Sequence, residues 1–171
     1  MKFRLRKWRE DDAKGLVPLA NNRKVAARLR NVFPYPYTEK DAADYIRFCL
    51  ESGEETQICR AIEAEGKAVG SITVTRGSDV YEKSAELGYW LGEPFWGRGI
   101  MTEAVREICR LAFETWEIER IFAEPYADNL RSRRVLEKAG FSLEGTMRRG
   151  VCKWGEFFDY CMYALLKEEL E

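Results

Sequence analysis

The hydrophobic and polar positions of this chain switch repeatedly between period 2 and period 3.6. Residues 3–8 alternate basic and apolar side chains and predict a first strand. Helical spacing follows from Asp11 to Asn22, where Asp11 or Asp12 can cap the N-terminus. A second helical piece covers about Arg23–Arg30. The run Phe33-Pro-Tyr-Pro-Tyr-Thr ends it, because each proline pushes its predecessor out of α geometry. Thr38 then predicts a capped helix through Leu50, with Asp41 at its third position, close to a capping box. Residues 56–64 and 67–76 alternate around Glu65-Gly66 and read as a β-hairpin. Ser84–Leu91 reads as a central strand whose ladder Pro94 stops.

From Met101 to Trp116 the apolar positions Ala104, Val105, Ile108, Leu111 and Ala112 recur at helical spacing. A short strand is predicted over Arg120–Tyr126, then a helix from Leu130 to Ala139 with Gly140 past its end. Two last strands, about Phe141–Arg149 and Glu156–Leu165, form a hairpin through Trp154-Gly155-Glu156. No internal repeat, low-complexity tract or interdomain linker interrupts the pattern. The expectation is one α/β domain over residues 1–171, with helices flanking a mixed, mostly antiparallel sheet.

Composition narrows the class. With 46% hydrophobic and 33% charged residues, the 171-residue chain reads as an ordinary soluble globule that can bury most of its apolar surface. No apolar run approaches the roughly 18 residues of a membrane span, and the N-terminus lacks the apolar core of a signal peptide. The five cysteines (Cys49, Cys59, Cys109, Cys152, Cys161) are odd in number and lack metal-type spacing, which suits reduced thiols in a cytoplasm. Cys152 and Cys161 could face each other across the last hairpin. A net charge of −1 argues against a bulk electrostatic grip on nucleic acid. There is no histidine at all, so Ser-His and Cys-His nucleophiles and His-ligated zinc are excluded. Proton transfer falls to carboxylates, Tyr, Cys, Lys, hydroxyls or water.

Two stretches carry chemistry. In the first, an apolar strand runs into the turn Gly97-Arg98-Gly99 and a helix starts at once. Glycines there let the backbone come close to a ligand, and the helix start offers unpaired N–H groups to a phosphate. Alone this is weak, since roughly one Gly-x-Gly is expected by chance at ordinary glycine usage. In the second, Asp128-Asn129-Leu-Arg-Ser132 opens another helix. Asn129 can simply cap the Ser132 N–H. Yet Arg131, Arg133 and Arg134 crowd the positive helix end, which makes sense beside an anion.

Together these units resemble the GNAT superfamily of acetyl-CoA-dependent N-acetyltransferases, and more narrowly its RimJ/RimL group, which acetylates protein N-termini. The matching words are Ala85-Glu-Leu-Gly-Tyr-Trp-Leu, Phe95-Trp-Gly-Arg-Gly-Ile-Met-Thr-Glu-Ala, Asn129-Leu-Arg-Ser, Leu136-Glu-Lys-Ala-Gly-Phe, Leu143-Glu-Gly and Asp159-Tyr-Cys-Met-Tyr. The resemblance implies a central strand that splays from its neighbour at Tyr89, Trp90 and Leu91 and binds the pantetheine arm. It implies pyrophosphate on Trp96, Gly97, Arg98, Gly99, Ile100, Met101 and Thr102, with Asn129 and Ser132 on the cofactor arm. Arg133 or Arg134 is then placed to meet the 3′-phosphate. The chain departs from the pattern at Trp96 and Met101. It has Leu136 where many members carry a tyrosine acid, and Val151 where some carry a catalytic glutamate.

The implied reaction is direct attack of a primary amine on the acetyl thioester. The amine must lose a proton, which is easier for an α-amine (pKa about 7.7–8.0) than for a lysine (about 10.4). Glu86, acting through water, is the candidate base, against the alternative of a solvated or ion-paired strand residue. Ser132 is the candidate hydrogen-bond donor to the departing thiolate. Backbone N–H groups near Leu91 are expected to polarise the thioester carbonyl. Glu124, Glu156 and Asp159 are further acidic candidates on late strands and turns, of which Asp159 matches a recurrent family Asp. Residues 11–50, with Phe33, Tyr35 and Tyr37, are expected to line the acceptor entrance. The acceptor is a protein N-terminus or a small amine, and the late hairpin could pair with a copy of itself as a homodimer. No metal and no membrane enter this picture. The rival reading is a catalytically silent acyl-CoA-binding module. A dinucleotide loop fails because Gly-x-Gly-x-x-Gly would need glycine where Thr102 stands, and no Gly-Lys-[Ser/Thr] word occurs.

Overall fold

A computed structural model describes residues 1–170. Seven strands form one open sheet in the order β1-β2-β3-β4-β5-β7-β6: β1 Phe3–Arg6, β2 Gln57–Ala64, β3 Lys67–Arg76, β4 Ser84–Leu91, β5 Arg120–Ala123, β6 Ser142–Lys153 and β7 Glu156–Leu166. Five helices flank it: α1 Asp12–Ala20, α2 Arg23–Ala26, α3 Glu39–Glu51, α4 Ile100–Thr115 and α5 Leu130–Lys138. Every strand pair is antiparallel except β4–β5.

Local chemistry explains most boundaries. Thr38 and Asp41 close a capping box at α3: the Thr38 hydroxyl accepts the Asp41 N–H at 3.2 Å, and the Asp41 carboxylate accepts the Thr38 N–H at 2.8 Å. Glu65-Gly66 and Trp154-Gly155 all have positive φ, which fits two-residue turns whose twist matches their strands. On α4, Ala104, Val105, Ile108 and Ala112 are fully buried as the spacing predicts, whereas Leu111 is only partly covered. Full burial of Val105 or Ile108 contributes about 1.5–3 kcal/mol, and each alanine methyl less.

The alternation of β4 divides the core in two. Ala85, Leu87 and Leu91 join the cluster under α4 and α5, and Trp90 joins the cluster under α1 and α3 with Trp8, Leu16, Tyr37 and Ile46. Helices therefore cover both faces of the sheet.

Several expectations change. The helix predicted over Arg23–Arg30 is one turn, Arg23–Ala26, and the strand predicted to Tyr126 stops at Ala123. Tyr126 instead bridges to Tyr160 of β7. Asp11 makes no side-chain cap; Asp12 is the first residue of α1 and accepts the Arg9 N–H at 2.9 Å. Cys152 and Cys161 are not cross-strand neighbours: the tight turn at Trp154-Gly155 sets Cys152 opposite Phe157, and Cys161 faces Thr146.

Candidate active site

The site begins where β4 and β5 part. Their parallel ladder holds only three pairs, Ser84 with Arg120, Ala85 with Ile121 and Glu86 with Phe122. β5 ends one residue later, while β4 runs on to Leu91 paired only with β3. The Gly77 N–H bonds the Ser84 carbonyl and the Gly92 N–H bonds the Val69 carbonyl, both at 2.8 Å. Alternation then turns the main-chain groups of Glu86, Gly88 and Trp90 toward β3, and those of Leu87, Tyr89 and Leu91 toward the opening. The Leu91 carbonyl is met there by the Trp96 indole N–H at 2.7 Å. The splay expected at Tyr89–Leu91 is thus present.

Below it lies a cleft of about 1740 Å³, larger than the roughly 300–1,000 Å³ of an ordinary small-molecule site. One wall is the turn before α4. Gly97 and Gly99 have φ of +72° and +77°, and a Cβ at either would meet no atom within 4 Å. The open space beside both glycines and the free amides at the start of α4 suit a phosphate group. Arg98 lines the same wall. Across from it, α5 presents Arg131, Arg134 and Lys138, spaced so that all three share one helix face. The Arg131 guanidinium lies 4.7 Å from the centre of the Trp96 ring.

Of the residues expected at the site, Glu86, Tyr89, Trp90, Leu91, Trp96, Gly97, Arg98, Gly99, Ile100, Met101, Thr102, Asn129 and Ser132 line this one cleft. Arg133 does not. Its Nε donates to the Tyr163 hydroxyl at 3.0 Å and its Nη1 to the Ala127 carbonyl at 3.0 Å, while Tyr163 donates to Glu137 at 2.8 Å. Arg133 sits two residues from Arg131, on another face of α5, and braces that helix against β7. Of the two arginines weighed for the 3′-phosphate, Arg134 lines the cleft and Arg133 does not.

The two candidate catalytic groups lie on opposite faces of the sheet. Glu86 shares its face with Trp90, and its carboxylate meets the Arg30 guanidinium, which also reaches Glu124 at 3.2 Å. Tyr89 is on the α5 face, where its hydroxyl lies 2.8 Å from the Ser132 Oγ. Burial pushes the Tyr89 phenol well above its usual range, against the smaller pull of the Ser132 bond. Asn129 caps α5 by accepting the Ser132 N–H at 3.3 Å, so the capping account is realised within the cleft wall.

Other expectations divide. Glu124 lines the cleft. Asp159 does not: its carboxylate accepts the Arg149 N–H at 2.7 Å and holds the bulge of β6. Phe33 and Tyr37 line the cleft, whereas Tyr35 packs against Trp154 at 5.9 Å. Sequence reasoning missed the strap formed by residues 28–30. Arg28 grips Asp128 at 2.9 and 2.8 Å, Tyr126 donates to the Leu29 carbonyl at 3.2 Å, and Arg30 reaches the two glutamates. These partners lie 56 to 100 positions away in sequence, and no local pattern announces them. Among the described residues, no group of three or more metal-ligating side chains assembles, and no helix is long and apolar enough to cross a membrane.

The model of the acetyltransferase (GNAT) domain matches residues 2–142. The chain belongs to the GNAT acetyltransferase family. Its reaction class is accordingly acyl transfer, with acetyl-CoA as cosubstrate and an amine as acceptor. It is 37% identical over 107 residues to the "Putative ribosomal N-acetyltransferase YdaF" of Bacillus subtilis (strain 168), a match spanning 63% of this chain and 58% of that protein. The "Probable N-acetyltransferase YjcK" of the same organism is 35% identical over 122 residues, 71% of this chain and 67% of that one. Among solved structures, the ribosomal L7/L12 α-N-protein acetyltransferase RimL in complex with coenzyme A superposes with a TM-score of 0.85 at 23% identity, over 97% of this chain and 94% of that one. The likeness to the RimJ/RimL group read from the motifs is borne out.

Proposed function

We propose that this GNAT protein acetylates a protein N-terminal α-amine or a small primary amine, with Glu86 as general base and Ser132 as hydrogen-bond donor to the thiolate. One observation carries the reading. Glu86 and the Tyr89–Ser132 pair stand on opposite faces of β4, at the point where β5 leaves it, and line one cleft.

The bound cosubstrate supplies an acetyl thioester. The amides of Gly97 to Thr102 hold diphosphate at the start of α4, and Arg98, Arg134 and Lys138 add positive charge around it. The outward main chain of Tyr89 and Leu91 bonds the pantetheine arm as a missing strand would. That arm leads through the opening, so the thioester meets both faces. On the Glu86 face, the carboxylate takes the amine proton through water. The Leu91 N–H stabilises the charge that builds on the carbonyl oxygen as the amine nitrogen bonds to carbon. On the α5 face, the Tyr89 hydroxyl reaches both the Ser132 carbonyl at 3.3 Å and the Ser132 Oγ at 2.8 Å; when it donates to the Oγ, the Ser132 hydroxyl proton is left for the departing sulfur. Neither the tyrosine missing at Leu136 nor the glutamate missing at Val151 is then needed.

The ribosomal names of YdaF and RimL favour a protein α-amine, whose low pKa suits a base acting through water. On this reading residues 1–171 form one catalytic domain that works in the cytoplasm, and the edge strand β6 offers an open ladder to a second copy.

Thiol release from acetyl-CoA, followed across peptides beginning with Ser or Ala and a panel of small amines, tests the proposal. Acceptor-dependent release is expected for at least one α-amine. Tight coenzyme A binding with no release for any acceptor would leave only the silent acyl-CoA-binding module.

A further inference from the structure

Arg30 lies on the stretch between α2 and α3, and its guanidinium engages Glu86 and Glu124 together. Phe122 pairs with Glu86, so Glu124, two residues further on, continues on the Glu86 side of the sheet just past the end of β5. The two carboxylates are 32% and 28% exposed and bracket the splay, whereas Arg30 is 63% exposed. A mostly solvated cation therefore sits between two half-buried anions, at the spot where the proposed acceptor must bring its nitrogen. An amine with a pKa of about 8 or above arrives at neutral pH largely as an ammonium. It carries the same charge as Arg30 and meets the same two carboxylates.

We propose that Arg30 is a built-in competitor of the acceptor: it fills the ammonium seat between Glu86 and Glu124 and must swing out before an amine can enter. The inference rests on the reading that Glu86 faces the acceptor. It names Glu124 as the second anchor of the ammonium and restricts the acceptor to cationic amines over neutral nucleophiles. Arg30 also has a use in the empty site, since it offsets repulsion between the two carboxylates. Its exposure keeps the competition mild. An ion pair this solvated is weak, so displacement should cost the acceptor about two- to fivefold in affinity.

The test uses the coenzyme A-loaded protein and a serine-initiated peptide, with its N-acetylated form as control. Calorimetry gives the peptide Kd, and thiol release gives kcat and both KM values. Arg30→Ala should lower the peptide Kd and acceptor KM by about two- to fivefold, with the acetyl-CoA KM unchanged. Arg30→Gln, which keeps most of the side-chain length, should do the same, and Arg30→Lys should restore wild-type values. Glu124→Gln should raise the acceptor KM and shrink the gain from Arg30→Ala. Acceptor affinity that weakens or stays constant in both Arg30→Ala and Arg30→Gln would overturn the inference. The two readings fail separately. Absent turnover with tighter peptide binding in Arg30→Ala would remove acetyl transfer and keep the competitor, and normal turnover with unchanged affinity would do the reverse.

Discussion

The hydroxyls of Tyr89 and Ser132 lie 2.8 Å apart, joining the open strand β4 to the first turn of α5. Burial keeps the Tyr89 phenol protonated across the neutral range. Tyr89 can therefore donate to Ser132 and orient the serine proton toward the cleft. A hydrogen bond to a charged group is worth about 1.5–3 kcal/mol, so Ser132→Ala should lower kcat by about ten- to a hundredfold. Tyr89→Phe should cost less, about two- to tenfold, because the serine survives without its guide. Steady-state kinetics at saturating acetyl-CoA decide it, and full activity in Ser132→Ala would remove the serine from the reaction.

Glu86→Gln should separate chemistry from binding. General-base catalysis typically contributes about 10²–10⁴-fold, and that loss should fall on kcat. Glu86 lies near the start of β4, on the face turned away from α5, whereas the Gly97–Thr102 turn lies beyond the other end of that strand. Coenzyme A titrated calorimetrically should bind the variant as it binds the wild type.

Gly99→Ala should weaken both the fold and the cosubstrate site. The left-handed φ of +77° costs a residue with a Cβ about 1–2 kcal/mol, and no neighbour lies within 4 Å to add a clash. For a chain of this size, 1 kcal/mol corresponds to a melting-temperature loss of about 2–4 °C. The added methyl also projects into the space beside the α4 amides. Thermal unfolding with and without coenzyme A should therefore show a smaller ligand-induced shift for Gly99→Ala than for wild type.

Stability should decline on the acid side through a site far from the cleft. Glu63 is 7% exposed and bonds Arg4 at 2.6 Å and also Arg6. The Arg4 bond, followed by the Arg6 bond, lowers its carboxyl from 4.5 to about 2. A carboxyl lowered in the folded state lends stability that is complete above about pH 4.5 and is lost as pH falls toward 2. Asp12 adds to the same limb: desolvation pushes it up, but the hydrogen bond from Arg6 carries it below its ordinary value. Urea unfolding at pH 7 and pH 3 should reveal this loss in the wild type, and Glu63→Gln should flatten it.

Much of the site could be read from local words. Gly97-Arg-Gly99 before an amphipathic run told of a tight turn and a helix start, since backbone freedom and helical period are properties of neighbours in sequence. Asn129 and Ser132, three apart, had to share the first turn of their helix. Helical spacing also separates Arg133 from Arg134: Arg131, Arg134 and Lys138 share a face that Arg133 does not, and Arg133 bonds Tyr163 instead. The place of Asp159 could not be read from any pattern, because its partner is the main chain of a bulge in β6.

The sequence by itself determined most of the elements, the α3 and α5 caps, the hairpin turns and the family, because these depend on residues within one or two turns of each other. Tertiary structure alone decided the three-pair ladder of β4 and β5, the bond between Tyr89 and Ser132, and the reach of Arg30 to Glu86 and Glu124. Those contacts join residues at least 36 positions apart, from Ser84 with Arg120 upward. They depend on how strands twist and where pairing ends, and such distances exist only once the chain is folded.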